Sequence, residues 1–438
     1  PDGAHVSAQV SIDGRNEISV RRVFSDAESF DAKEYERELA VCLFDALCSV
    51  CGFTPPWGIL TGVRPAKLMG SKKNRLGEKK AREYFASNLL VSPAKIRLVS
   101  QVAEVRGRYE RYSGALDFSL YVAVPFCPSR CDYCSFVSHS VENAAALEEP
   151  YFELLLRELD KTAELASEYG LTLRSVYVGG GTPATLSDEN IVRLGEKIRS
   201  GFDISDCTEM TFEGGRPEML SVSKLAAIRS AGFDRLCVNP QVLDDAELES
   251  IGRGHSVTDF EKAFSLAREA GFDNINCDLI AGLPGESRAM LLDSVGRLVD
   301  LSPEGITVHS FALKTASTYK YGGGAAVSRD IEAVADAQEQ LAAAGYEPYY
   351  LYRQSKSVGC GENVGFCREG RECAYNVFEM EELHSILAVG AGAVTKLIDG
   401  EKIERIFNLK YPYEYNDRFD EILKRKDEAA AFYAAALR

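Results

Sequence analysis

The stretch Leu120-Tyr121-Val122-Ala123-Val124-Pro125-Phe126-Cys127-Pro128-Ser129-Arg130-Cys131-Asp132-Tyr133-Cys134 decides how this chain is read. An apolar run with strand character ends in a short loop carrying three cysteines spaced Cys-x3-Cys-x2-Cys. Three thiolates on one loop of this size reach one side of an iron–sulfur cube, and such clusters are held by thiolates. Three protein ligands leave the fourth iron open for a substrate or cofactor to coordinate. The alternative is a zinc knuckle, for which His139 is the only nearby fourth ligand.

Outward from this loop, apolar strands alternate with long helical runs. Strands are expected at 118–124, 173–178, 208–213, 235–239, 274–280 and 305–312, with helices near 148–168, 187–200, 217–231, 256–270 and 287–300. Six strand–helix repeats imply a parallel sheet with right-handed crossovers. Six falls short of eight, so the fold class is α/β with an incomplete (β/α)6 barrel, whose chemistry belongs at the C-terminal ends of its strands. Residues 1–116 read as a mostly helical domain: a hairpin around Asp13-Gly14, then helices at 32–51, 76–90 and 93–113. The barrel takes 117–325. Residues 326–438 read as a small C-terminal α+β domain, opening with a helix at 330–344, packed against the open edge.

The 438 residues carry a net charge of −16, which argues against bulk nucleic-acid binding. A local exception runs from Arg64 to Arg82, with eight basic residues and the single acid Glu78; it reads as a solvated helix face or an anion-docking surface. No run approaches the roughly 18 apolar residues of a membrane helix, and no secretory signal is apparent, so a reducing cytoplasm is expected. The first residue is Pro1 and not Met, so a native start upstream is expected. Of the 12 cysteines, Cys42, Cys207, Cys237 and Cys277 read as small core hydrophobes. Cys48 and Cys51 close a helical run. Cys360, Cys367 and Cys373 lie in a Gly-rich stretch and read as isolated thiols, a substrate-proximal group or an auxiliary cluster.

The second motif, Gly179-Gly180-Gly181-Thr182-Pro183, follows the second strand, where glycine lets backbone approach a ligand closely. Together the cysteine loop and this run resemble the radical S-adenosylmethionine (SAM) superfamily. That resemblance implies a [4Fe-4S] cluster on Cys127, Cys131 and Cys134 and SAM chelating the open iron, its methionine end on Gly180, Gly181 and Thr182. Tyr121, six residues before the first cysteine, Glu213 at the end of strand three, Gln241 and Arg253 twelve apart, and Asp278 opening Asp278-Leu279-Ile280-Ala281-Gly282-Leu283-Pro284 are similar to the coproporphyrinogen oxidase-like branch. On that resemblance they, with Tyr133, Phe136 and Ala312, surround the cofactor.

Within the branch, Pro56-Trp57-Gly58-Ile59-Leu60-Thr61-Gly62-Val63-Arg64-Pro65, Tyr349-Tyr350-Leu351-Tyr352-Arg353-Gln354, Glu362-Asn363-Val364-Gly365 and Glu372-Cys373-Ala374-Tyr375-Asn376 resemble the HemZ-type oxygen-independent coproporphyrinogen dehydrogenases. The implied activity is oxidative decarboxylation of coproporphyrinogen III propionates to vinyls, served by a low-potential donor such as flavodoxin or ferredoxin. Two departures stand out. Phe136 occupies the place of the established decarboxylase's fourth cysteine, as in the related heme chaperones, while Tyr375 stands where those chaperones carry His. A heme carrier and a radical enzyme acting on heme or an RNA base are the other readings. His255 and His309 are candidate catalytic groups, and Arg64, Arg130 and Arg353 are candidates for the substrate's carboxylates.

Overall fold

The computed structural model describes residues 5–12, 15–23, 31–134, 139–312, 331–354, 357, 361–400 and 402–436. Phe136, Cys360 and the Asp13-Gly14 turn lie outside the described residues. The chain divides into two compact units, Pro1–Glu104 and Val105–Arg438.

In the first unit, β1 (His5–Ile12) pairs antiparallel with β2 (Arg15–Val23), as the hairpin pattern implies. The helix Ala32–Cys51 begins at a capping box between Asp31 and Glu34 and stops at Gly52, whose left-handed φ of 64° suits a residue without a side chain. The basic stretch forms two helices, Pro65–Leu76 and Glu78–Ser87, instead of one from 76. Gly77, at φ 81°, separates the two, where the sequence pattern predicts a helix beginning at 76.

The second unit is built on one 11-stranded sheet. Its strands are β3 (Asp117–Val124), β6 (Thr172–Gly180), β7 (Glu209–Glu213), β8 (Arg235–Cys237), β9 (Ile275–Ala281) and β10 (Gly305–Ser310), all parallel and adjacent in sequence order. Between β3 and β6 the two-residue strands β4 (Phe126–Cys127) and β5 (His139–Ser140) pair beside the cysteine loop. Near-continuous burial along β3 and β9 is what a parallel strand covered on both faces requires. Five helices in the connections between β6 and β10 start at a polar cap: Ser187, Ser221, Asp244, Ser256 and Ser287 each accept a backbone N–H three residues on. The short helix Asp245–Ser250 had not been expected.

Residues expected as a small third domain hydrogen-bond onto both edges of this sheet. On one side β12 (Glu362–Cys367) runs antiparallel to β10 and carries β11 (Glu347–Arg353). On the other, β13 (Ser385–Val389) adds parallel to β3, followed by β14 (Val394–Asp399) and β15 (Lys402–Phe407).

Glu158, fully buried on the helix Val141–Glu168, fastens this C-terminal segment. Its carboxylate accepts from Gly390 N (2.7 Å), Tyr415 Oη (2.6 Å), Asn408 Nδ2 (2.8 Å) and Lys426 Nζ (2.8 Å). Removing one partner of such a buried pair strands the other charge, at a cost of about 3–5 kcal/mol. Glu158→Ala is therefore expected to lower the thermal midpoint by several degrees or more in circular dichroism melts, with Glu158→Gln intermediate.

Candidate functional site

The C-terminal ends of the barrel strands enclose a cavity of about 380 Å3. Cys127, Cys131 and Cys134 line it together with Gly180, Gly181, Thr182, Glu213, Gln241, Arg253, Asp278, His309 and Ala312. The cysteine loop and the glycine run are joined through backbone: Gly181 N–H donates to Val124 O and Thr182 N–H to Phe126 O, both at 2.7 Å. A Cβ on Gly181 would sit 2.5 Å from Phe126 O and 3.0 Å from Cys127 Sγ, so only glycine fits there. Thr182 Oγ1 lies 3.4 Å from Cys127 Sγ. The loop's other side is held by Asp132 N–H on Ile251 O (3.1 Å) and by the buried Arg216, whose Nη2 donates to Ser129 O (2.8 Å) and Ser129 Oγ (3.0 Å). Arg216 was not foreseen, because a loop arginine carries no periodic signal.

Gln241 adopts a left-handed φ of 73° and is clamped by Gln241 N–H to Asp278 O and Ile280 N–H to Gln241 O, each 2.9 Å. A non-glycine residue held there costs of order 1–3 kcal/mol and marks a functional position. Arg253 Nη2 donates to Asn239 O at 2.9 Å, while its Nε is buried without a hydrogen-bond partner. Asn239 Oδ1 is unpartnered in the same way.

On the opposite wall Asp278 accepts from Asn276 Nδ2 at 2.7 Å, and His309 Nε2 lies 3.7 Å from its Oδ2. The other imidazole nitrogen, His309 Nδ1, faces Asn363 Oδ1 at 3.3 Å. Burial alone would raise the Asp278 carboxyl, but hydrogen bonds from His309, Asn276 and Thr307 outweigh it and hold the group below its usual range. His309 is raised: burial opposes its charge, and Asp278 and Asn363 more than compensate. Glu213 takes the consequence. Burial first, then the Asp278 charge, push it up to about 8 against His309, Tyr177 and Arg253.

Three tyrosines form a stack along one side. Tyr177 and Tyr375 rings are 4.8 Å apart, Tyr121 and Tyr375 5.9 Å, and Tyr121 and Tyr177 6.2 Å, with interplanar angles of 29°, 23° and 20°. Tyr350 and Tyr352 stack on each other at 6.4 Å and line the same cavity. Their spacing of two was legible as a strand face, though no role had been assigned to it.

Four expected groups are absent from the cavity lining. His255 does not line the cavity; its ring is buried with Nδ1 3.3 Å from Glu218 Oε2. Arg353 is out of phase with the lining residues Tyr352 and Gln354, because alternate side chains of β11 leave opposite faces. Arg130 is likewise absent from the lining, and Arg64 belongs to the first unit. Of the four cysteines read as core hydrophobes, Cys207 is only half-buried and Cys237 lines the cavity.

The Radical SAM superfamily matches residues 121–298. The oxygen-independent coproporphyrinogen-III oxidase-like protein HemZ of Bacillus subtilis is 34% identical over 96% of this chain and 86% of its own. The heme chaperone HemW of Haemophilus influenzae is 29% identical over 68% of this chain and 75% of its own. Among solved structures, Escherichia coli coproporphyrinogen III oxidase (HemN), a radical SAM enzyme, superposes with a TM-score of 0.57 at 22% identity, covering 73% of this chain and 71% of that one. This chain belongs to the radical SAM superfamily, in the coproporphyrinogen III oxidase-like branch that includes HemZ. Its cofactors are a [4Fe-4S] cluster and SAM. The residues present fit them. Three thiols share one cavity, and a side-chain-free glycine cradle abuts the first thiol. Buried polar atoms of Arg253 and Asn239 await partners.

The sign of the Glu213 shift sets a pH dependence. The unfolded carboxyl gives up its proton near 4.5, whereas the folded one keeps it to about 8. Between those values the folded state binds more protons, so its stability falls as pH rises. Melting the ligand-free protein at pH 5, 6, 7 and 8 is expected to show this decline, and Glu213→Gln to flatten it.

Proposed function

We propose that this protein is a radical SAM enzyme of tetrapyrrole metabolism that converts propionate side chains of coproporphyrinogen III to vinyls, yielding protoporphyrinogen IX. The observation that carries the reading is the cavity wall: the stacked Tyr121, Tyr177 and Tyr375 line the same space as the three cysteines. An apolar aromatic wall suits the pyrrole rings of a large macrocyclic substrate. Tyr375 is packed into that stack at the place where the chaperones carry His, and burial pushes its phenol well above the usual range, which disfavours an iron-ligating phenolate.

In this reading Cys127, Cys131 and Cys134 hold the cluster. Gly180, Gly181 and Thr182 offer backbone and hydroxyl to the methionine end of SAM, and Glu213 takes its ammonium group. Arg253, with Gln241, binds its carboxylate, Asp278 the ribose hydroxyls, and Tyr133 and Ala312 border the adenine. His309 orients the Asp278 carboxylate and lowers its basicity, a positioning task. When bound, the cluster supplies the electron that turns SAM into a hydrogen-abstracting carbon radical. Each vinyl then accounts for one hydrogen atom, one carbon dioxide and one electron passed to an acceptor. A low-potential electron-transfer protein of the flavodoxin or ferredoxin type supplies the reducing electron, and a cytoplasmic setting accommodates these oxidation-sensitive thiolates.

Incubating the anaerobically reconstituted, reduced protein with coproporphyrinogen III is expected to give products lighter by one and then two formate equivalents in mass spectrometry, with 5′-deoxyadenosine in proportion. SAM cleavage that ignores the porphyrinogen, together with stoichiometric heme binding that survives desalting, would establish the carrier reading instead. Cys127→Ala, Cys131→Ala and Cys134→Ala should each abolish the cluster's iron. Asp278→Ala should keep the iron and weaken SAM binding roughly ten- to a hundred-fold by titration, the equivalent of a lost charge-assisted hydrogen bond.

A further inference from the structure

One layer deeper in the barrel than Glu213 sits a guanidinium with too little to hold it. On β8, Cys237 pairs with Glu213 of β7 and Arg235 with Thr211, so Arg235 lies about 7 Å further from the strands' C-terminal ends. It is 1% exposed, yet it lines the cavity. Its Nη1 donates to Cys237 Sγ at 3.5 Å, a weak acceptor, and its Nε has no hydrogen-bond partner. The nearest carboxylate, Glu209, stands 4.0 Å from Nε. That carboxylate is already engaged by Thr211 Oγ1 (2.8 Å), Cys373 Sγ (3.2 Å) and Ala374 N (3.1 Å). Burial pushes the Cys237 thiol up to about 12, so it stays neutral and does not balance the arginine. A guanidinium carries five donors in a planar fork, and burying it unmatched is costly. The missing partner is a planar anion that arrives through the cavity.

We propose that Arg235 anchors the substrate by pairing bidentately with one propionate carboxylate of the tetrapyrrole, an arm that is retained in the product. The proposal rests on the reading given under Proposed function and names its carboxylate subsite. Retention follows from chemistry. Losing carbon dioxide empties charge from a carboxylate, and a guanidinium stabilises the charged form, so an arm clamped by Arg235 resists decarboxylation. The arm that reacts belongs nearer the cysteine loop, one layer up. Glu209 sets the orientation of Arg235 from below without filling its fork.

The test compares equilibrium binding of coproporphyrin III, the stable oxidised tetracarboxylate, with that of its tetramethyl ester, read by porphyrin fluorescence on the cluster-loaded protein with SAM present. Wild type is expected to prefer the acid at least ten-fold. Arg235→Gln should bring the two ligands to within about two-fold, and Arg235→Lys, which keeps the charge but loses the fork, should fall between. Should Arg235→Gln fail to fold because Glu209 is left uncompensated, the double variant Arg235→Gln with Glu209→Gln removes both charges and gives the same readout. A wild type without preference for the acid, or a Gln variant that keeps it, overturns the anchor. If instead the preference vanishes as expected but reduced wild type forms no vinyl from coproporphyrinogen III, the anchor stands and the decarboxylase reading fails.

Discussion

Two backbone hydrogen bonds, Gly181 N–H to Val124 O and Thr182 N–H to Phe126 O, are the constraint from which the rest of the site follows. They splice the end of β6 onto the beginning of the cysteine loop, so the loop inherits the rigidity of two neighbouring parallel strands. The third glycine is obligatory for the splice, since any Cβ at 181 would collide with Phe126 O. Opposite, Arg216 and Asp132 hold the loop to the turns after β7 and β8. Such a scaffold keeps three thiols pre-organised at the mouth of one cavity, which is what a cluster with an open coordination position needs.

Electrostatics inside the barrel follow from the same geometry. Strand pleating turns Glu213, Asp278 and His309 toward one space, and two carboxylates with one imidazole cannot all carry full charge cheaply there. Asp278 keeps its charge because Asn276 donates to it and the His309 imidazole stands beside it; Glu213, with less support, holds a proton into the neutral range. Binding a cationic ligand group beside Glu213 would invert that balance. Ligand-free protein thus stores a destabilising carboxyl whose compensation arrives with the ligand.

Most of the barrel was legible because its signals are local and repeated. Short apolar runs alternate with helical patterns, and the observed strand bounds depart from the expected ones by two residues or fewer. The cysteine loop and glycine run were equally plain, because their chemistry lives in residues adjacent in sequence. What escaped was long-range. Nothing local announces that β13 adds beside β3 while β12 adds beside β10. His255 and Arg353 were named for residue type and proximity in sequence, and strand phase and burial removed both from the cavity. Arg235 opens the expected strand 235–239, and only the observed pleat places it with Cys237 on the face that enters the cavity.

The tyrosine stack bears on how one scaffold serves both a decarboxylase-like and a carrier-like branch. A heme carrier needs an accessible ligand for iron, and imidazole serves at neutral pH. Tyr375 packs against both Tyr121 and Tyr177 with its phenol held neutral by burial, so at this position the chain offers an apolar aromatic surface in place of a metal ligand. His309, the one histidine lining the cavity among the described residues, is committed to Asp278 on one nitrogen and to Asn363 on the other. A ring that binds against stacked tyrosines without an iron ligand is recognised by its face and its carboxylate arms.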